Sequence, residues 1–154
     1  INLSSSVYAI GTFDPDNLQS EKHFSVLRTY AATKLLVLMF TEELARRLSR
    51  TSVTANATHP GIVRTDMMLR APGIMRLLSY LSLPFSISPQ EGARTTLYLA
   101  SASDVRDVSG YYFTKSKKTD VNNKFDTAAN RALLWDLSLR FVQKHTAMPV
   151  LRAG

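Results

Sequence analysis

The stretch TYAATKLL, Thr29 to Leu36, sets a tyrosine four residues ahead of a lysine at the head of an apolar run. On a helix those two side chains share a face, about 6 Å apart at Cβ. A phenol ionises at about pH 10, and an ammonium beside it favours the phenolate. Tyr30 with Lys34 is therefore a candidate pair for proton transfer at oxygen, the phenol acting as acid or base. The same spacing also suits a packed tyrosine and a solvated lysine, so the setting of the pair must decide. A second Tyr-x-x-x-Lys, Tyr111 to Lys115 in YYFTK, is an internal control. It follows a glycine and is rich in aromatic residues, which predicts a strand. At about 3.3 Å per residue its side chains are roughly 13 Å apart, too far to act together.

The elements that position the first pair follow from periodicity and punctuation. Ile1 to Ser5 alternates apolar and polar residues and ends in serines, predicting a strand that stops at a loop. The loop GTFDPDNLQSEKHF is long and rich in turn formers. A helix is predicted from near Ser25 to about Arg50. Its LLVLMF run is apolar all round, which predicts burial on more than one side. Arg46, Arg47 and Arg50 fall at the negative end of its dipole. SVTANATHPG, Ser52 to Gly61, predicts a strand stopped by Pro-Gly. Residues 65–87 are irregular and greasy. A helix then opens on Ser88 as N-cap, with Pro89 first and Glu91 three on from the cap. GYYF predicts a third strand, and Ala128 to Lys144 a closing helix with apolar spacing at Leu133, Leu137 and Phe141. Alternating strands and helices predict an α/β fold with a parallel sheet and crossover helices. Ligands of such sheets sit beyond the carboxyl ends of the strands. Ser5 and Pro60-Gly61 lie at such ends, and Tyr30 opens a helix that passes nearby.

Composition narrows the chemistry. A chain of 154 residues, 45% hydrophobic and 20% charged, suits one globular domain with a substantial core. With no cysteine there are no disulfides or thiolate metal sites, and His23, His59 and His145 show no ligand spacing. No metal is expected. The net charge of +7 attracts anions. Its basic residues are dispersed and not interleaved with a base-stacking motif, so no nucleic-acid partner is expected. An anionic coenzyme or membrane headgroups suit the charge equally. INLSSSVYAIG is not a signal peptide. It starts without Met inside a predicted strand, and the expectation is a chain that continues upstream.

Taken in order, these motifs resemble the short-chain dehydrogenase/reductase family. INLSSS is similar to its active-site serine strand, YAATK to its Tyr-x-x-x-Lys, and HPGIVRT to its Pro-Gly-x-x-x-Thr segment. SPQEGARTTLYLA, SGYYF and LLWDLS extend the likeness over essentially the whole chain. The long gap between Ser5 and Tyr30, with HPG and PQEGA, resembles the retinol-dehydrogenase-like branch. The resemblance implies Ser5, Tyr30 and Lys34 as catalytic residues. Tyr30 would move the proton, Lys34 would tune it and hold the nicotinamide ribose, and Ser5 would donate to the substrate oxygen. Spacing does not choose among Ser4, Ser5 and Ser6; alignment to the family chooses Ser5. The implied coenzyme is NAD or NADP, with NADP favoured by the branch. Tyr30, Lys34, Pro60, Gly61, Val63 and Thr65 would contact it, with His59 a structural neighbour.

IMRLLSYLSLPFSI lies where the family covers its substrate. Plain core is the bland account of that stretch. Its greasiness suits a lipophilic alcohol or carbonyl (retinoid-, steroid- or fatty-aldehyde-like) or contact with a membrane surface. The resemblance further implies a cytoplasmic, membrane-associated protein and a homo-oligomer through the Tyr30 helix.

The family's glycine-rich dinucleotide fingerprint, its Asn-Asn-Ala-Gly strand and its catalytic Asn helix have no counterpart here; the six glycines are unclustered. The expected architecture is thus the C-terminal half of a Rossmann-type doubly wound sheet, about three parallel strands with crossover helices. Residues 1–154 would be the catalytic and substrate-binding part of one domain whose N-terminal dinucleotide-binding half is missing. Its innermost strand would have an unpaired edge, and the fragment would not be active alone. The alternative is a non-catalytic truncated paralogue whose oily helix, Leu35 to Phe40, is a protein-interaction module.

Overall fold

The computed structural model describes residues 1–64 and 80–145. Four short strands form one sheet in the order β1 (Asn2–Leu3), β2 (Ala57–His59), β3 (Tyr112–Thr114), β4 (Lys117–Thr119). Asn2 pairs with Ala57 and Leu3 with Thr58; Ala57 pairs with Tyr112 and Thr58 with Phe113, all in parallel. Helix α1 (Val26–Arg47) connects β1 to β2, and α2 (Pro89–Ser101) lies between β2 and β3. Helix α3 (Ala128–His145) closes the described chain. This is the α/β architecture expected, the C-terminal half of a Rossmann-type sheet.

The fourth strand corrects the expectation of parallel strands alone. β4 runs antiparallel to β3. Its two-residue turn, Lys115-Ser116, has φ of 49° and 59°, the left-handed backbone that hairpin turns require and that glycine or asparagine usually supplies. The turn is held from outside, because the Ser116 N–H donates to Thr95 Oγ1 of α2 at 3.1 Å. In the control pair, Lys115 falls in this turn, and it is Lys118 that lies over the Tyr111 ring, at 4.0 Å.

The middle strand is shorter than Ser52 to Gly61 because side chains take over the pairing. Asn56 donates to the Val108 carbonyl at 2.6 Å and accepts the Tyr111 N–H at 3.0 Å. It staples the entry of β2 to that of β3.

Leu35, Leu38 and Met39 of α1 are fully buried with Tyr8, Phe13, Ala57, Tyr112 and Leu134. Their i, i+3, i+4 spacing places them on one face, and each such side chain contributes about 1.5–3 kcal/mol on burial. Phe40 sits at the rim, stacked on Trp135 of α3 at 5.5 Å. A 3-10 turn, Ser6–Ile10, packs against α1. Its C-terminal neighbour Gly11 allows the close approach, since a Cβ there would stand 2.5 Å from the Ala31 carbonyl oxygen. At α2 the expected capping box is present: Ser88 Oγ accepts the Glu91 N–H at 3.2 Å and Glu91 Oε2 accepts the Ser88 N–H at 3.1 Å. Among the described residues no helix is long and apolar enough to cross a membrane.

Candidate active site

The corner between β1 and α1 is built from polar rungs. Asn2 Nδ2 donates to Thr41 Oγ1 at 2.9 Å, and Ser4 Oγ donates to the Lys34 carbonyl at 2.8 Å. Alternate residues of a strand share a face, so Asn2 and Ser4 both look toward α1. The Lys34 side chain returns the contact, its Nζ donating to the Leu3 carbonyl at 3.2 Å. The same ammonium lies over the Tyr30 ring, 5.5 Å from its centroid. The contact is a cation–π one with the ring face. The strand, the lysine and the tyrosine form one assembly, with the Tyr30 side chain 48% exposed.

The serines divide by environment. Ser4 is buried and its hydroxyl is committed to α1. Ser6 is exposed in the first position of the 3-10 turn. Ser5 is half-buried at the strand tip, where its Oγ accepts the Val7 N–H at a long 3.5 Å. Its hydroxyl proton is not used in that bond. Ser5 thus combines a fixed backbone with a lightly held hydroxyl.

A residue far along the chain steadies this tip. Asn123 Nδ2 donates to the carbonyls of Tyr8 and Gly11, both at 3.0 Å, and more weakly to Ala9 at 3.4 Å. These groups belong to the turn that starts right after Ser5. Nothing in the local sequence pattern marks Asn123, because its partners lie 112 to 115 residues away.

Pro60 and Gly61 leave the sheet beside Ser5, since the Ser4 N–H donates to the Thr58 carbonyl at 2.8 Å, one step beyond the Leu3–Thr58 pair. They then enter a different recess. Pro60 and Gly61 line a cavity of about 680 Å³ with His59, Phe85, Arg94 and Lys115 among its walls, and Ser5, Tyr30 and Lys34 are not in that lining. Gly61 has φ of +87°, and a Cβ there would meet Ile87 Cδ1 at 2.9 Å. Val63 forms a parallel bridge with Ile87 through the Ile62 carbonyl and the Arg64 N–H, at 2.9 and 3.0 Å. In such a bridge Val63's own amide groups point to the other side. Its side chain packs on Gly92. His59 Nδ1 is buried without a hydrogen-bond partner among the described residues, and desolvation holds the ring's pKa below its usual value. Thr65 lies outside the described residues.

Comparison with known proteins meets this geometry. Residues 18–72 match the profile described as short chain dehydrogenase, a span that includes Tyr30, Lys34, Pro60 and Gly61. The chain belongs to the short-chain dehydrogenase/reductase family, in its retinol-dehydrogenase-like branch. Human retinol dehydrogenase 14 is 40% identical over 139 residues, which are 88% of this chain and 41% of that protein. Human retinol dehydrogenase 12 is 38% identical, over 90% of this chain and 43% of that protein. Zebrafish (Danio rerio) WW domain-containing oxidoreductase is 34% identical over 90% of this chain and 34% of its own length. The chain therefore spans about two fifths of the length of the retinol dehydrogenases it matches. A crystal structure of an uncharacterised protein from Mycobacterium paratuberculosis shares the fold, with a TM-score of 0.64 at 24% identity. It covers 96% of this chain and 50% of that one.

The residues of the corner suit the nicotinamide-ribose end of a dinucleotide. Lys34 has three ammonium protons, one of them given to Leu3, leaving donors for ribose hydroxyls. The positive φ of Gly61 bends the backbone past β2. A glycine-rich turn for the pyrophosphate is not among these 154 residues.

Proposed function

We propose that this chain carries the proton-transfer part of an NAD(P)-dependent oxidoreductase that interconverts an alcohol and a carbonyl on a lipophilic, retinoid-like substrate. The observation that carries the reading is Lys34. One ammonium bonds the end of β1 and lies over Tyr30, which ties phenol, amine and serine strand into one corner. Names of the relatives, retinol dehydrogenases at 38–40% identity, support the lipophilic class.

In this reading residues 1–154 form the catalytic and substrate-binding part of a single domain, and sequence outside them binds the rest of the dinucleotide. Lys34, Tyr30, Pro60, Gly61 and Val63 hold the nicotinamide end, together with Thr65. The coenzyme, NAD or NADP, supplies or accepts the hydride. Tyr30 gives its hydroxyl proton to the substrate oxygen in reduction and takes it back in oxidation. Lys34 holds the Tyr30 ring at the end of β1 by its cation–π contact. Ser5 donates a hydrogen bond to the same oxygen, where negative charge develops. His59, whose pKa burial holds below its usual value, lines the recess beside Pro60.

The test is Tyr30→Phe in the protein that carries this chain, assayed with a lipophilic aldehyde and NADPH, then NADH. Loss of a positioned acid lowers turnover by about 10²–10⁴-fold, with the circular dichroism spectrum unchanged. Undiminished turnover refutes the role of Tyr30. The second reading, an interaction module through Leu35 to Phe40, has little surface to draw on, because Leu35, Leu38 and Met39 are buried in the core and Phe40 sits at the rim. Robust turnover in the unmutated protein would set it aside.

A further inference from the structure

The approach to Tyr30 is apolar and open. Four of the seven residues from Phe24 to Tyr30 are large apolar or aromatic side chains in contact with solvent: Phe24 is 72% exposed, Val26 57%, Leu27 49% and Tyr30 48%. Single exposed apolar residues are ordinary, but these stand together, and the chain ahead of them is tied so as to hold them out. Ser20 turns the backbone with φ of 57°, a left-handed conformation disfavoured for any residue with a Cβ. Asn17 closes that turn, its carbonyl accepting the Ser20 N–H and its Oδ1 the Lys22 N–H, both at 2.9 Å. Thr29 clips the far side: its Oγ1 accepts the Ser25 N–H and donates to Ser20 Oγ, both at 3.4 Å. Phe24 thus sits between two tethered residues, Lys22 and Ser25, just ahead of α1. Within α1, Leu27 precedes Tyr30 by three residues and Lys34 by seven, so all three fall on one stripe of the helix. Val26, four before Tyr30, flanks it on the other side.

We propose that Phe24, Val26 and Leu27 form the wall along which the hydrocarbon of the substrate lies, and that they select long lipophilic carbonyls and alcohols over short ones. The inference rests on the reading of Tyr30 as the group that moves the proton. On one side of Tyr30 stand the Lys34 ammonium and the polar end of β1. The apolar direction is back along the helix toward its start. Helical side chains leave their Cα atoms that way, so Tyr30 leans over the turn that carries Val26 and Leu27. The rise from Tyr30 to Val26 is about 6 Å along the axis. Phe24 extends the surface by up to about 7 Å more. A short aldehyde held at Tyr30 ends before Phe24, whereas a fatty or retinoid chain covers the whole wall. This surface is separate from the recess of Pro60 and Gly61, whose lining includes none of its residues.

The experiment uses the protein that carries this chain and straight-chain aldehydes from acetaldehyde to decanal. Burying a methylene favours binding about fourfold, so kcat/KM should climb steeply with chain length until the wall is covered. Phe24→Ser with Leu27→Ser should flatten the climb, lowering kcat/KM for decanal about tenfold or more through KM with kcat kept, as lost uniform binding requires. Binding is read separately with retinol, whose emission rises in apolar surroundings, so one result stands apart from turnover. The serine pair should weaken retinol binding about tenfold or more as well. Phe24→Trp keeps the apolar surface and should keep the chain-length preference. Its indole should pass energy to bound retinol beyond what Trp135, the single tryptophan of the natural chain, does. The side chains changed are exposed, and thermal unfolding checks that each variant keeps the fold. Undiminished retinol binding by the serine pair overturns the proposal, as does an equal loss across the whole aldehyde series. A lowered thermal midpoint or a changed oligomeric state would make the patch a protein interface and overturns it too, and so does a natural protein that binds no retinol and shows no preference for long chains. Retinol binding that needs Phe24 and Leu27 in a protein without turnover refutes the proton-transfer role of Tyr30 and supports the wall.

Discussion

Removing the Asn123 amide tests how the serine tip is held. In Asn123→Ala four bonds vanish: those to the Tyr8, Ala9 and Gly11 carbonyls and the one that Oδ1 accepts from the Phe125 N–H at 2.9 Å. They do not count equally. The Tyr8 carbonyl keeps the Gly11 N–H at 2.8 Å, so it is not orphaned. The Ala9 contact is long and its residue is exposed, so water replaces it. The Gly11 carbonyl loses its donor inside a buried residue, and the Phe125 N–H loses its acceptor in a half-buried one. An orphaned buried group costs about 1–3 kcal/mol and a bond replaced by water about 1, which gives a loss of about 2–3 kcal/mol. Urea unfolding followed by circular dichroism reads this directly. With a slope of about 1–3 kcal/mol per molar for a small protein, the midpoint should fall by about 1–2 M. Asn123→Asp is the sharper variant. It keeps the acceptor for Phe125 and turns a carboxylate oxygen on the carbonyls, so it should fall at least as far as the alanine. An alanine midpoint within about 0.3 M of the natural chain, or an aspartate more stable than alanine, would refute the assignment of Asn123 as the clamp.

Two other outcomes follow from the packing of α1 and β2. Burial, with Asp126 nearby, pushes the Glu42 carboxyl up to about 7 against the lowering pull of Arg131. The folded chain therefore holds a proton there that the unfolded chain releases from about pH 4.5 upward. Glu42's contribution is greatest below that value and is lost as pH rises toward 7. His59 acts oppositely, its lowered folded value adding stability as pH rises through the unfolded one. Urea midpoints at intervals from pH 5 to 7.5 should thus fall more steeply in the natural chain than in Glu42→Gln; parallel curves would refute the shift. At Gly61, alanine must take φ of +87° and crowd Ile87. Gly61→Ala should cost about 1–2 kcal/mol from the left-handed backbone alone, seen as a lowered thermal midpoint; an unchanged midpoint would contradict the strain.

What could be read from the sequence was what repeats at short range. The Tyr30–Lys34 face follows from the helical period, and the α2 cap from Ser88 to Glu91 is complete within four residues. The β3–β4 hairpin was missed because Lys115 and Ser116 adopt a backbone that their residue types do not advertise. The bond that stabilises it comes from Thr95, 21 residues earlier. The bond from Lys34 to the Leu3 carbonyl and the Asn123 clamp were missed for the same reason, since both depend on how distant segments meet.

The serine choice shows where local pattern stops and packing begins. In a strand, neighbours face opposite sides, so the sequence alone already says that Ser4 and Ser5 cannot share a role. It does not say which one meets the helix. Two bonds to α1 decide that: Asn2 reaches Thr41, and Ser4, two residues on, reaches the Lys34 carbonyl. The inward set is therefore Asn2 and Ser4, which spends the Ser4 hydroxyl on structure. Ser5 falls at the tip with its proton uncommitted, one residue beyond the rung that positions the lysine. In Ser4→Ala the Lys34 carbonyl keeps its place inside helix α1, so stability should fall modestly while the Ser5 hydroxyl stays in place. Ser5→Ala should do the reverse, leaving the urea midpoint nearly unchanged and cutting turnover in the protein that carries this chain. If the two variants exchange these effects, the face assignment of β1 is wrong.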